Sequence, residues 1–307
     1  MRTGITGLAV LSVVLLSACA RPADAPGGEP SPASRADFDA RAAQVAAAWQ
    51  RLPADGAWYT GFVPLAPLTQ KPKGVDEATN AALNAGWFKL DAELREGPRD
   101  GEVTFPEGDP LKVGLITAEA AFGEVAPADP PECPAPVPDS SSGSGPDGST
   151  SHTLPCTTLT ITAATFGTTR VLTSRGMAEA PAWLFTVAGL DAPVAQVAVA
   201  PADVQDPPRA DVGPADLPGY VDAVSVDAVE GTSVTFMLIT GSCDTDVTPV
   251  VAETPSAVVV AGTVRRESEM CDDMAHYTPV TATLAAPLGT RPLVSARTGE
   301  ALGRSPF

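Results

Sequence analysis

Proline and glycine interrupt this chain so often that long helices have no room to form: 32 prolines and 27 glycines fall within 307 residues. Proline removes a backbone donor and collides with the preceding helical turn, and glycine loses the most conformational entropy on ordering. Between these breaks lie short runs rich in Val and Thr, whose branched side chains suit a pleated surface. The expected fold class is therefore mainly β. It would comprise an α+β N-terminal domain with short helices, then an all-β, sandwich-like C-terminal domain.

The N-terminal domain is expected over residues 35–200. Phe38, Ala42, Val45, Trp49 and Leu52 form one helical stripe, with Ser34 as cap, Asp37 and Asp39 in the first turn and Pro53 as stop. Residues 57–67 read as extended. Residues 76–85 read as a short helix stopped by Gly86, residues 87–94 as a strand, and residues 118–125 as another short helix. Runs at 101–105 and 111–116 flank the sequence PEGDP and predict a hairpin. Residues 126–155 are a low-complexity, disordered-looking insert. Strands are expected at 157–165, 168–173, 182–187 and 194–200, with the sequence TSRGMAEAP as a loop between the second and third.

Residues 201–218 read as a linker by composition. Beyond it, residues 219–307 carry six strand signals at spacings of roughly 8–12 residues, the mark of a sandwich or barrel. They begin near 220, 232, 248, 257, 280 and 293. This half has no Trp, and only Tyr220, Phe236 and Tyr277 supply aromatic bulk before Phe307. A core that light is marginal by itself.

At the other end, Arg2 precedes an apolar run from Ile5 to Leu16, the pattern of a secretory signal too short to span a bilayer comfortably. Leu16-Ser17-Ala18-Cys19 resembles a bacterial lipobox. That resemblance implies removal of residues 1–18, a diacylglyceryl thioether on Cys19, and residues 19–34 as a flexible tether to an extracytoplasmic body. Paired acyl chains suffice for stable anchoring. The partner implied first is thus the membrane itself. A formal charge of −18 argues against nucleic acid as a second one.

Four further cysteines, Cys133, Cys156, Cys243 and Cys271, permit three disulfide pairings. The sequential pairing would keep each bridge inside one expected domain, in a compartment where disulfides persist. Zinc is disfavoured, because there is no C-x-x-C and only two histidines. Asp244, Asp246, Glu267, Glu269, Asp272 and Asp273, with His276, surround the second pair of cysteines. Carboxylates gathered there suit Ca²⁺, which takes six to eight oxygens, but the spacing matches no EF-hand, so a solvated acidic loop is the expectation. No cofactor is implied otherwise.

Acid–base equipment is scarce. Only His152 and His276 are candidates for a neutral-pH base, and His152 lies in the low-complexity insert. No nucleophile elbow, metalloprotease helix or phosphate loop occurs, and Ser174-Arg175-Gly176 reads as an ordinary polar turn. Trp58, Trp87 and Trp183 could line a glycan cleft, but their strand-like settings favour core packing.

Three runs carry a family likeness: residues 156–189, residues 241–264, and residues 283–302. They resemble uncharacterised actinobacterial secreted lipoproteins. Four lysines against fifteen arginines fit the GC-rich coding of such organisms. The resemblance implies location and layout and carries no catalytic residue. The expectation is a lipid-anchored, non-enzymatic binding, scaffolding or envelope-assembly module with a protein or glycan partner. The alternatives are a carboxylate-dependent extracytoplasmic hydrolase and a solute-binding lipoprotein.

Overall fold

A computed structural model describes residues 34–131, 157–268, 271–272 and 274–304. The expected signal peptide, Cys19, nearly all of the tether, Cys133, His152, Cys156, Glu269 and Asp273 lie outside those residues. The fold is mainly β, in several sheets, with four short helices among the described residues.

The first helix, α1 (Arg35–Gln50), starts where the cap was expected: the Ser34 hydroxyl accepts from Asp37 N at 3.3 Å. Its stripe of Phe38, Ala42, Val45 and Trp49 is buried. The next stretch was expected to be extended, but it begins with one helical turn, α2 (Ala57–Thr60). Burial of Trp58 and the Thr60 hydroxyl, which donates to Gly56 O at 3.1 Å, hold that turn closed.

After β1 (Thr69–Gln70) comes α3 (Glu77–Ala85), capped by Asp76, which accepts from Thr79 N at 3.0 Å and the Thr79 hydroxyl at 2.6 Å. These bonds hold the Asp76 carboxyl below the usual carboxylate range. Gly86 ends the helix at φ 71°, a left-handed position that a β-carbon would strain. β2 (Phe88–Leu90) is shorter than the alternation predicted. β3 (Asp100–Val103) and β4 (Leu111–Gly114) make the expected hairpin, and α4 (Ala118–Val125) follows.

The two strands expected at 157–173 are one, β5 (Leu159–Thr173), and the expected loop after it is mostly strand, β6 (Gly176–Val187). They form a long hairpin closed by a two-residue turn, Ser174-Arg175, with Gly176 at φ 92°. With β7 (Val194–Val197) they build a five-stranded sheet in the order β1-β7-β6-β5-β2. Pro181 made this stretch look broken. In the sheet, Pro181 O accepts from Ala198 N, so its absent donor would have faced Ala198 O. Ile116 N fills that place, donating to Ala198 O at 2.8 Å.

The C-terminal strands are β8 (Tyr220–Val221), β9 (Ala223–Glu230), β10 (Ser233–Gly241), β11 (Asp244–Glu253), β12 (Val258–Arg266), β13 (Ala275–Thr283) and β14 (Leu293–Ser295). One sheet runs β13-β10-β9; the other runs β11-β12-β14, with β8 also paired to β12. Val234, Phe236 and Leu238 pack between the sheets against Val258, Val260 and Leu293. The alternate residues of the same strands, Val259, Ala261 and Val294, face the other way onto Phe38, Ala42, Val45 and Trp49 of α1. The arrangement is helix, sheet, sheet, with β12 covered on both faces.

This packing differs from the expected allocation of α1 to the N-terminal domain. The reason is aromatic bulk. Phe38, Trp49 and Trp58 bring to the C-terminal strands the volume those strands lack. Trp49 Nε1 donates to Gly299 O at 3.0 Å and Trp58 Nε1 to Thr290 O at 3.1 Å. The two indoles meet edge to face at 5.0 Å. The stretch read as a linker is packed too. Ala210, Val212 and Leu217 join the same cluster, and Gln205 N bonds Phe62 O at 3.0 Å.

Candidate functional site

Residues 57–65 pass between the two sheet systems and touch both. Trp58 belongs to the cluster under α1, whereas Phe62 packs with Val103, Val171 and Val197 of the N-terminal sheets. Backbone bonds fix the passage: Ser174 N to Val63 O at 3.0 Å, Leu65 N to Leu172 O at 2.8 Å, and Arg304 N to Leu65 O. Beside it opens a cavity of about 310 Å³, within the range of small-molecule sites.

Its wall comes from five separate stretches, including Trp58 and Leu65 of this passage and Leu302 and Arg304 near the end of the described residues. Leu172 and Met177 flank the β5–β6 turn, Val226 and Ala228 come from β9, and Leu288 and Leu293 come from the chain entering β14. Gly231 and Gly289 border it at φ 60° each, with no atom within 4 Å of where a β-carbon would sit. The hydroxyls in the wall are already committed: Ser174 Oγ donates to Trp58 O at 2.7 Å and Thr173 Oγ1 to Gly176 O at 2.8 Å.

Two arginines line the cavity and differ in state. Arg291 is saturated. It pairs with Glu253 at 3.2 Å and donates to the carbonyls of Thr254, Ala286, Pro287 and Leu288. Glu253 also accepts from Ala285 N at 2.6 Å; that bond first, and Arg291 second, hold its carboxyl below the usual range. Arg304, by contrast, has a buried Nε with no hydrogen-bond partner. Among the described residues no Asp or Glu lines the cavity.

Of the residues singled out from the sequence, Trp58, Ser174 and Gly176 line this cavity, and the described cysteines, carboxylates and histidine fall elsewhere. Cys243 and Cys271 form a disulfide with Cα atoms 5.7 Å apart, tying the start of β11 to the segment before β13. The described carboxylates near it are spoken for. Asp244, nearly buried, pairs with Arg266 at 3.3 Å and accepts from Gly241 N at 2.7 Å. Asp246 and Glu267 both pair with Arg265, at 2.7 and 2.9 Å. Asp272 is held below the usual range by the Ser242 hydroxyl and then by Met274 N. Among the described residues no three His, Cys, Asp or Glu side chains gather as a metal site.

His276 is exposed on β13, away from the cavity wall. The three tryptophans do not share a cleft. Trp87 and Trp183 pack in one cluster and Trp58 in another, and Trp183 Nε1 donates to Ile116 O at 3.0 Å. Arg175 lies over the Phe105 ring at 3.5 Å, so the turn read as ordinary is a packed one. Sequence reasoning missed Arg304, Met177 and Ala228, because nothing local marks residues whose only common property is a shared void.

No family model matches the chain, and no curated protein or solved structure matches it. No helix among the described residues is long and apolar enough to cross a membrane.

Proposed function

We propose that the protein is a lipid-anchored, extracytoplasmic, non-enzymatic binding module, tethered through a diacylglyceryl group on Cys19, whose cavity takes a small apolar ligand. The observation that carries this reading is the 310 Å³ void between the two sheet systems, walled by Leu, Val, Met and Trp side chains. A void of that size is ample room for an organic molecule and gains nothing by staying empty. Solute capture is thereby favoured over scaffolding, and the absence of carboxylates from the described lining favours capture over acid-catalysed hydrolysis.

The cavity is tested with a neutral fluorescent probe, N-phenyl-1-naphthylamine. Its emission should rise on mixing with wild type and should not rise with Ala228→Trp, which fills the void. Equal emission from both proteins would reject the cavity as the site. The tether is tested separately. Cys19→Ala should move the protein from the membrane fraction to the soluble fraction, and mass spectrometry of wild type should find the acylated residue.

A further inference from the structure

We infer that the ligand is a single-chain anionic amphiphile, an acyl chain ending in a carboxylate or a phosphate, with Arg304 as the receptor for its headgroup. This rests on the cavity reading above and adds charge and shape to it.

The first ground is the state of Arg304. A buried donor with no acceptor is rare, because water has been removed and nothing replaces it. The rest of the molecule obeys that rule. Buried Arg41 reaches the carbonyls of Ala296, Gly213 and Arg297, and Arg291 has a carboxylate and four carbonyls. Arg304 Nε is the exception among the described residues; that atom is itself shut off from water, so Arg304, which lines the cavity, would meet a headgroup through the terminal nitrogens of its guanidinium. A guanidinium presents a planar fork of donors that matches carboxylate and phosphate oxygens.

The second ground is what surrounds it. No acidic side chain among the described residues lines the wall, in a chain with 37 Asp and Glu. The Ser174 and Thr173 hydroxyls are used by backbone carbonyls, so the polar recognition left to the cavity is cationic. Leu172, Met177, Val226, Ala228 and Leu293 offer the remaining surface, which suits methylenes. A void of about 310 Å³ stands at the small end of ligand sites, which selects one short chain over a two-chain lipid.

The experiment is titration calorimetry on the folded ectodomain with decanoate, decyl phosphate, decanol and acetate, each below its micelle concentration. One or both anions should bind wild type at least ~10-fold more tightly than decanol, the difference a charge-assisted hydrogen bond makes. The tighter of the two anions assigns the headgroup as carboxylate or phosphate. Acetate should give no heat. Arg304→Gln should bring the anions down to the affinity of decanol. Equal affinity of wild type for decanol and both anions overturns the proposal without involving any variant. So does an Arg304→Gln protein that keeps the preference. In either case, continued binding of the neutral probe leaves the cavity reading standing. If Ala228→Trp binds decanoate as wild type does, the amphiphile sits elsewhere and both readings fall.

Discussion

Arg41 sits on the buried face of α1, its Nε 2.8 Å from Ala296 O and its terminal nitrogen between the carbonyls of Gly213 and Arg297. Burial pushes its pKa down. The sequence held a signal for it. Arg41 is three residues after Phe38 and four before Val45, on the apolar stripe, where a charge needs a reason. Arg41→Met should cost about 2–4 kcal/mol, read by urea denaturation, because three carbonyls then lose their donor. Glu253 allows a pH prediction. Its folded pKa lies below the unfolded value, so its contribution is present above the ordinary glutamate range and is lost as pH falls through the folded value. Glu253→Gln should therefore melt below wild type at pH 7. The gap should narrow progressively below about pH 4.

At the level of elements, most of the C-terminal strands were legible, because β-branched runs between turn residues leave little else to form. The cap of α1 and the left-handed stop of α3 were legible for the same local reason. The long β5–β6 hairpin was not. Pro181 reads as a breaker, and only Ile116, distant in sequence, supplies the donor that makes proline tolerable there. The direction in which α1 packs was also hidden, since a stripe says that a helix is covered but not by what. Trp49→Ala should cost roughly 3–5 kcal/mol, measured by denaturant midpoint, as expected for a large buried aromatic. The disulfide spans 28 residues and ties β11 to the approach of β13. Replacing both cysteines with serine should lower stability by about 3–4 kcal/mol on the chain-entropy model, and reductant should have the same effect on wild type.

Taken whole, the molecule has two sheet systems and no free linker between them. Residues 57–65 join both clusters, and the stretch from 201 to 218 is bonded to Phe62 and packed under α1. Unfolding followed by far-ultraviolet dichroism and by tryptophan emission should give one coincident transition. Two separated transitions would show that the sheets are held independently. The isolated stretch from 219 to 307, which lacks α1 and its aromatic residues, should not unfold cooperatively by itself. None of this was legible locally. A cavity assembled from β5–β6, β9 and the chain before β14 is a property of three-dimensional closure, and no stretch of sequence contains it.

The covering of β12 by α1 has a consequence for biosynthesis. Arg41 and Ala296 are separated by 255 positions, yet they are bonded. When the chain emerges from one end, the helix appears first, and its apolar face must wait for nearly all of the remaining polypeptide. Contacts of such long sequence separation form slowly and leave sticky surface open in the interval. The nascent protein therefore needs shielding until its last strands are made, and truncation near the C-terminus should be punished as severely as damage to the start.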